Sequence, residues 1–430
     1  MPETIDINKL DASFLHLDRR GHPQHFAVMA ELNDNHAIWL PELADRVRAR
    51  AGEFQQFQIV VEEGRWRPPI LRTAERWDGA QNVSERGSVD DHQTMAVLGE
   101  LLAEPLPRDK PLWHITLLNQ KAPRRQYLVL RVHHALADGM TATGYGMLFL
   151  DGSPAELAPF KRFLDSERFV LDGLGRSEKL RALRSFHESW LAGCTPRRWP
   201  RPTNGGRNDV TLISVPTKQL YARAKALSVS TRELVLAASG VALYENPLSN
   251  YRRPKKIRAS LPCTLDSSFR HVGNGTSITV VNLDGRSGEV QQQLATLRPQ
   301  LQRVDRDRPE LAIPIMSSPS HLPWPAQRVF TNAAMKVMRL DVEIGVNPAA
   351  ARFRSVLGCP ITRVYPVPFL LSTSLCVAGL VSGDCSTFGI VTDGGRLPGY
   401  SHKFAHEFES LIVGAEDALT FPSLDSKAAG

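Results

Sequence analysis

Apolar side chains in the first third of the chain follow the two periods that helices and strands produce. Leu40, Leu43 and Val47 recur on one helix face, and two apolar runs separated by a polar turn are typical of a β-hairpin. The elements predicted in this way are helices over 38–54 and 92–103 and strands over 57–61, 65–71, 113–118 and 127–133. Helices lying to one side of mainly antiparallel strands indicate an α+β layer.

The chain after residue 206 shows the same mixture of strands and helices, without a residue-level repeat. The predicted elements are strands over 210–215, 256–261, 276–283, 360–367, 375–381 and 387–392, and helices over 217–226, 230–244, 285–303, 323–338 and up to Leu419. Since a chain of 430 residues is longer than a single hydrophobic core usually accommodates, we expect two domains. We place an N-terminal half at 1–165, a linker at 166–205 and a C-terminal half at 206–430.

The linker combines a helix pattern with a stretch that breaks regular structure. Residues 177–191 place Leu180, Leu183, Phe186 and Trp190 on one face, flanked by basic side chains, and a Pro/Arg-rich run follows at 196–202. Two interpretations remain open. The helix packs on the body of the protein, or it forms a basic amphipathic surface that docks peripherally on a membrane.

Composition narrows the class of function. The net charge of +7 and the pI of 9.2 favour a phosphorylated acyl donor, an acidic carrier or a membrane surface. No nucleic-acid motif accompanies the charge, so no nucleic-acid partner is expected. Five cysteines without metal-ligand spacing predict reduced thiols and no metal site. Without a long apolar run or a secretory signal, we predict a cytoplasmic protein.

Candidate chemistry concentrates where the predicted strand 127–133 ends. His133 and His134 are adjacent there, and Asp138-Gly139 follows as a turn and helix-start signal. Neighbouring strand residues point to opposite faces, so only one histidine faces a given cavity. A neutral histidine accepts a proton from a hydroxyl or amine near neutral pH. Asp138 either pairs with His134, caps the helix or holds a cation.

The spacing His133-His134-x-x-x-Asp138-Gly139 resembles the active-site motif of acyltransferases related to chloramphenicol acetyltransferase. These include peptide-synthetase condensation domains and the bacterial wax ester synthase/diacylglycerol acyltransferase family. Five further segments resemble the latter family in the same order along the chain: 10–15, 111–118, 203–207, 365–368 and 388–393. The resemblance covers nearly the whole chain and indicates a divergent member.

The resemblance implies an α+β fold with two chloramphenicol-acetyltransferase-like halves. Each half is a mixed, mostly antiparallel sheet with helices, and a central active-site tunnel runs between them. The implied reaction transfers an acyl group from a thioester to a long-chain alcohol or diacylglycerol, without a covalent enzyme intermediate. Acyl-CoA or an acyl-carrier protein is the co-substrate, with no bound cofactor. His134 matches the catalytic base, which takes the hydroxyl proton and passes it to the departing thiolate.

Other motif residues are expected to support His134. Gly139 permits close approach of substrate and could direct its N–H at an oxyanion, or it is a plain turn glycine. His133 is expected to have a structural hydrogen-bonding role. Pro111-Leu112-Trp113 is expected to pack beneath the active-site strand. Asn274 resembles the family's asparagine near the tunnel, although Asn-Gly is equally a turn signal.

The sequence also departs from the family pattern. In the family, an arginine from the second half braces the aspartate that corresponds to Asp138, but the matching position here is Asp266. Arg258 or Arg270 substitutes for that arginine, or Asp138 serves only as a helix cap. Arg232-Glu233 replaces a family Asn-Asp pair, and residues 345–349 replace an Asn-Val-Pro-Gly-Pro pattern.

These departures leave alternatives to wax or triacylglycerol synthesis. One is a specialised-metabolite O- or N-acyltransferase that uses a CoA-bound or carrier-bound donor and a hydroxyl or amine acceptor. Another is a non-catalytic protein that binds acyl chains or a carrier as a scaffold. Retention of His134, Asp138 and Gly139 together favours an enzyme over the scaffold.

Overall fold

A computed structural model describes residues 4–7, 9–18, 22–33, 37–64, 66–74, 77–195, 199–203, 207–248, 251–266, 268, 270–317, 323–348 and 354–414. Several sequence predictions fall partly outside these residues. They concern positions 196–198 of the Pro/Arg-rich run, 204–206 of the segment 203–207, residue 349 of the segment 345–349, and the end of the last helix beyond 414.

The elements follow one another as a mixture of strands and helices along the whole described chain. The helices are α1 Lys9–Leu17, α2 Leu40–Ala51, α3 Asp91–Ala103, α4 Gly139–Phe149, α5 Pro154–Leu164, α6 Arg176–Ala192, α7 Thr217–Ala226, α8 Thr231–Glu245, α9 Val290–Asp307, α10 Ala312–Ser317, α11 Trp324–Met338 and α12 Tyr400–Val413. The strands are β1 Thr4–Asp6, β2 His25–Leu32, β3 Ile59–Glu62, β4 Ile70–Thr73, β5 Val83–Ser88, β6 Trp113–Gln120, β7 Arg125–His133, β8 Asn208–Pro216, β9 Lys256–Thr264, β10 Thr276–Asp284, β11 Val342–Pro348, β12 Ser355–Val356, β13 Cys359–Val367, β14 Leu375–Val381 and β15 Cys385–Asp393.

Two six-stranded sheets organise the two halves of the molecule. The first has the order β12-β13-β2-β7-β6-β5 and the second the order β10-β9-β11-β14-β15-β8, while β1, β4 and β3 form a smaller sheet. In the first sheet only β5 and β6 run parallel, and in the second β11 is parallel to both of its neighbours. The other ladders are antiparallel. The predicted α+β fold with mixed, mostly antiparallel sheets is therefore confirmed.

Two strands of the second half, β12 and β13, belong to the first sheet. β13 pairs with β2, so that Val364 lies opposite Ala30 and Tyr365 opposite Met29. Tyr365 and Met29 are both buried in one apolar cluster, so the alternation of buried side chains fixes this register. The division into 1–165, 166–205 and 206–430 stays a prediction. Part of the segment 206–430 completes the sheet of the segment 1–165.

Each sheet buries one face against helices, and a third cluster joins the sheets. Helices α8, α9 and α12 cover the second sheet, with Leu234, Leu297 and Phe404 fully buried. The joining cluster brings Val129 of β7 together with Val391 of β15. The two halves are therefore packed directly on each other, and the end of β7 lies at their boundary.

The linker helix α6 packs on the body of the protein. Phe186 and Leu183 lie in a cluster with Val280 of β10, and the indole nitrogen of Trp190 donates to the Met338 carbonyl at 3.0 Å. Leu180, which the sequence places on the same face, is instead 68% exposed. Among the described residues no single helix has the length and apolarity needed to span a bilayer; one bent pair, α7 with α8, meets those criteria only in combination.

Candidate active site

The backbone of His134 is held from both halves of the molecule. Its N–H donates to the Gln24 carbonyl at 2.8 Å, just before β2. Its carbonyl accepts a hydrogen bond from the Asn274 side chain, which precedes β10 in the second half. Because His134 directly follows β7, these two bonds fix the point at which the chain leaves the sheet. The ring therefore projects from a rigid backbone.

Three phenylalanines surround the His134 ring. Phe14 of α1 stacks on it with ring centroids 4.2 Å apart and an interplanar angle of 12°. Phe26 of β2 and Phe369 present their edges at 5.5 and 5.3 Å. The ring is partly buried, and Nδ1 is buried without a hydrogen bond among the described residues. Nε2 is thus the nitrogen available to a reactant.

This apolar enclosure determines the charge state of His134. Burial lowers the pKa of His134 to about 4, while its own carbonyl and the Asn274 side chain act in the opposite direction. The imidazole is therefore neutral near pH 7, which is the form that can accept a proton. A base in this position is competent across the whole neutral range.

His133 points to the opposite side, as the strand alternation predicts. Its Nδ1 accepts from the Ala135 N–H at 3.0 Å, so its Nε2 carries the proton and donates to Asp18, 3.2 Å from either oxygen. Burial lowers the pKa of His133, and Asp18 opposes that effect. Asp18 also pairs with Arg108. These contacts give His133 a structural hydrogen-bonding position.

Asp138 joins the motif loop to the second half. One carboxylate oxygen caps α4, accepting from the N–H groups of Met140 at 3.1 Å and Thr141 at 2.9 Å. The other accepts from the Gly275 N–H at 2.9 Å and the Thr276 hydroxyl at 3.1 Å. Burial raises the pKa of Asp138, and these donors oppose it. All four contacts belong to a structural cap and a bridge to the start of β10.

The expectation that Arg258 or Arg270 pairs with Asp138 is wrong. The Arg258 guanidinium donates to the carbonyls of Met338 and Trp190 at 2.6 Å, on the far side of β9 from α8. Arg270 donates its backbone N–H to the Asp266 carboxylate at 3.1 Å. The sequence spacing alone could not show that the Arg258 side chain is directed elsewhere, or that the four side-chain contacts of Asp138 come from Met140, Thr141, Gly275 and Thr276.

An arginine does reach the motif loop, but it comes from the linker. Arg168 binds Asp11 of α1 at 2.9 Å and donates to the Leu136 carbonyl at 3.3 Å. Asp11 is fully buried and also accepts from Asn274 at 2.7 Å. Burial raises the pKa of Asp11 to about 6, and Arg168 opposes that shift. The network ties α1, the linker and the Asn274 turn to the backbone beside His134.

The remaining motif residues lie around the same loop. Gly139 is the exposed first residue of α4, and a Cβ added there would meet nothing within 4 Å. The Leu112 carbonyl accepts the His133 N–H at 2.9 Å, and the indole nitrogen of buried Trp113 donates to the Phe57 carbonyl at 2.8 Å. Leu112 and Trp113 therefore lie beside the end of the histidine strand, and the predicted role of the Pro-Leu-Trp segment stays a prediction.

Sequence reasoning missed Phe26, Phe369 and Arg168 as site residues, and it noted Asp11 and Phe14 only within the opening motif. The signal for the last two was their position in that motif, three residues apart on one face of α1. Phe369 and Arg168 carried no comparable signal, because only tertiary packing brings them to the loop. Within the described residues, no group of three or more His, Cys, Asp or Glu side chains could hold a metal.

Comparison with known proteins agrees with this geometry. The family model for the wax ester synthase/diacylglycerol acyltransferase catalytic domain matches residues 7–165. A putative diacylglycerol O-acyltransferase of Mycobacterium tuberculosis is 26% identical over 337 residues, which is 70% of each chain.

Solved structures show the same fold at low sequence identity. The wax ester synthase/diacylglycerol acyltransferase of Marinobacter aquaeolei VT8 aligns with a TM-score of 0.68 at 18% identity, covering 95% of this chain and 99% of that one. The first condensation domain of the CDA synthetase aligns with a TM-score of 0.62 at 13% identity, covering 96% and 97%. Together these findings show that residues 7–165 match the catalytic-domain model of the wax ester synthase/diacylglycerol acyltransferase family, and that the chain is similar in sequence and in fold to proteins of that name.

Proposed function

We propose that this protein transfers an acyl group from an acyl thioester to the hydroxyl of a lipophilic acceptor, with His134 as general base. The observation that carries the proposal is a neutral imidazole with one available nitrogen, fixed at the boundary of the two halves. The acceptor hydroxyl donates to Nε2 of His134. As its oxygen bonds to the thioester carbonyl carbon, the proton moves to the ring.

The second half of the reaction returns the proton. The tetrahedral intermediate collapses, the carbon–sulfur bond breaks, and the imidazolium protonates the departing thiolate. Since aromatic rings enclose His134, the charged imidazolium is unfavourable and gives up its proton readily. The same imidazole thus accepts the first proton and donates it to the thiolate, so no second base is needed. The Gly139 N–H, at an open and exposed helix start, is the proposed donor to the carbonyl oxygen as it becomes negative.

The surroundings of His134 support apolar reactants. Phe14, Phe26 and Phe369 offer aromatic surface on which acyl and alkyl chains pack without losing hydrogen bonds. The net charge of +7 favours a phosphorylated donor, so acyl-CoA is the proposed co-substrate. Long-chain alcohols and diacylglycerol are the proposed acceptors, in keeping with the family. The central tunnel and the cytoplasmic location stay predictions.

A second candidate is acylation of a specialised hydroxyl or amine acceptor from a CoA-bound or carrier-bound donor. The observation in its favour is that the positions departing from the family have other partners here. Arg232 pairs with Asp305 at 3.1 Å, and Glu233 completes a capping box with Ser230. Those side chains are therefore engaged at the surface of α8 and α9.

The predicted peripheral membrane contact has its best support away from the linker helix. Val329, Phe330 and Val337 of α11 are 71%, 51% and 62% exposed. The same helix begins at Trp324, whose ring lies 3.6 Å from that of His16 on α1. An apolar surface at α11 would thus adjoin the helix that carries Phe14.

Replacing His134 tests the enzymatic proposal. We expect H134A to reduce acceptor-dependent thiol release from long-chain acyl-CoA by about 10²–10⁴-fold, the usual contribution of general-base catalysis. H187A, which removes an exposed histidine on α6, is the matched control and should keep wild-type turnover. Circular dichroism and thermal unfolding establish that both variants are folded. Full activity in folded H134A would refute the proposal, and absence of acceptor-dependent release in the wild type would favour the scaffold.

A further inference from the structure

Three polar side chains form a row across the middle of the second sheet. Ser260 of β9 lies opposite Glu343 of β11, and Glu343 lies opposite Cys376 of β14. Residues in register on adjacent strands present their side chains on the same face of a sheet. Ser260 and Cys376 are 0% and 1% exposed. Glu343 between them is partly buried, so the row is a polar strip that is fully buried at its two ends.

The strip lies on the face that is turned away from the covering helices. Ala259 and Leu261, the neighbours of Ser260, pack in the core formed with α8, α9 and α12, so Ser260 points the other way. Cys376 packs in the cluster that contains Met29 and Val129 of the first sheet. The Cys376 end of the strip therefore faces the first sheet, and the Ser260 end lies opposite Val280, which packs under α6.

Two atoms of the strip lack hydrogen-bond partners. Oε2 of Glu343 and Oγ of Ser260 are buried without a partner among the described residues, while the Glu343 carboxyl group forms a side-chain hydrogen bond with Cys376. A buried carboxyl or hydroxyl group that has no hydrogen-bond partner is unfavourable, because it has lost its contacts with water and gained none in return. The two groups lie side by side on one face of the sheet. A polar atom of a ligand bound against that face would form hydrogen bonds with both of them.

The strip adjoins the surroundings of His134. Ile278 of β10 belongs to the same small apolar cluster as Phe14, Phe26 and Phe369. Ile278 lies opposite Pro262, two residues along β9 from Ser260 and on the same face. Two residues along a strand span about 7 Å, so the strip begins one side-chain row beyond the aromatic enclosure. A chain that reacts at His134 and runs along this face would reach it.

We propose that Ser260, Glu343 and Cys376 form a hydrogen-bonding subsite for an oxygen function, a hydroxyl or keto group, carried within the acyl or acceptor chain some distance from the reacting carbon. The inference rests on the proposed acyl transfer and adds a substrate class to it. Burial raises the pKa of Glu343 to about 7, so much of its carboxyl group is protonated near neutrality and can donate to an oxygen. Ser260 supplies both a donor and an acceptor beside it.

Kinetic discrimination between matched substrates tests the subsite. In the first pair, plain acyl-CoA and mid-chain-hydroxylated acyl-CoA react with the same alcohol acceptor. In the second pair, a plain alcohol and a mid-chain diol react with the same acyl-CoA donor. We expect wild type to prefer the oxygenated member of one pair by about tenfold in kcat/KM, as one or two hydrogen bonds allow. The ratio of the two kcat/KM values should fall towards unity in E343L and S260A and be largely retained in E343Q. The pair that shows the preference identifies whether the oxygen function lies in the acyl donor or in the acceptor.

Thr279 provides a matched control. Its hydroxyl is also fully buried and unpartnered, but it lies in the same strand alternation as Val281 and Leu283, which face the helices. T279V should therefore keep the preference that S260A loses. Equal loss in T279V and S260A, or no preference in wild type for either pair, would overturn the proposal.

A binding measurement separates this inference from the proposed reaction. In folded H134A, the free mid-chain diol should raise the thermal unfolding temperature more than the plain alcohol, and E343L in the same background should abolish the difference. If acyl transfer fails with every substrate pair but this difference is found, the proposed function falls and the subsite stands. If the two alcohols stabilise H134A equally, and plain and mid-chain-hydroxylated acyl-CoA also do so equally, the subsite is refuted.

Discussion

His134 shows how one side chain acquires its chemistry from neighbours that carry no charge. Phe14 and the edges of two further phenylalanines replace water around the imidazole, which disfavours the protonated form. Its backbone is bound on both sides, so the ring cannot retreat into solvent to recover that hydration. The imidazole is therefore neutral near pH 7. In the proposed reaction its weakness as a base is offset, because proton transfer accompanies bond formation to the carbonyl carbon.

The pH dependence of the reaction follows from this environment. A base with a pKa of about 4 in the folded protein stays neutral as the pH falls from 8 to 6, so kcat/KM should be constant over that range. The acid limb should appear only as the pH approaches 4. An acid limb with its midpoint between pH 6 and 7 would contradict the assignment of His134 as an enclosed base.

The measurement needs a stability control at each pH. Since the folded pKa of His134 lies below its ordinary value of 6.5, the unfolded chain takes up the proton first. The free energy of unfolding therefore decreases as the pH falls from 6.5 towards 4, and is unaffected by this group above that window. Thermal unfolding recorded in the same buffers distinguishes loss of base from loss of fold.

At the scale of elements, the loop between β7 and α4 is fastened to the turn before β10. Asp138 accepts two hydrogen bonds from its own helix and two from that turn, and its N–H donates to the Gly273 carbonyl at 3.0 Å. Thr141 adds a further pair of bonds to Gly273. The loop that carries the motif is thus anchored to the second half of the molecule.

Substituting Asp138 by asparagine should separate its two roles. Asparagine caps helices about as well as aspartate but offers one oxygen, so D138N keeps the cap and loses the bonds to Gly275 and Thr276. We expect a loss of about 1–3 kcal/mol in the free energy of unfolding from denaturant titration. D90N is the matched control, because exposed Asp90 caps α3 at the Gln93 N–H without bridging to another element. Equal losses in both variants would contradict a bridging role.

Elements of this region differ in how far the sequence could predict them. The hairpin 113–133 and α4 were predictable because apolar runs, a polar turn and an Asp-Gly cap are local signals. β2 and β11 were not predicted, although Val342, Ile344 and Val346 recur at the two-residue period of a strand. Arg168 was missed because its pairing with Asp11 spans 157 residues and leaves no local signal.

At the scale of the whole molecule, the second half contributes β12 and β13 to the first sheet, in addition to the interface between the halves. β13 covers the edge of β2, and without it the backbone of β2 and the buried side chains Ala27 and Met29 would lose their cover. An exposed apolar edge strand promotes association with other chains. The sequence suggested two separable halves because each contains its own strands and helices; long-range pairing between β13 and β2 leaves no local trace.

A fragment comprising residues 1–165 should therefore fail to fold alone. We expect it to show no cooperative thermal transition and to aggregate, because the edge of β2 is open. Mixed with residues 166–430 during refolding, it should recover a cooperative transition by complementation. A sharp unfolding transition of 1–165 by itself, measured by circular dichroism, would contradict this account.

The contribution of β12 and β13 to the first sheet also governs how such proteins can be recombined. Chimaeras that join the N-terminal part of one relative to the C-terminal part of another would match a foreign β13 to the resident β2, although the splice lies far from either. Successful exchanges should move residues 355–367 together with the N-terminal part, even though some 190 positions separate 165 from 355. The acyl or acceptor preference of such a hybrid would then depend on which residues are adjacent in the folded structure, and not on which are adjacent in the sequence.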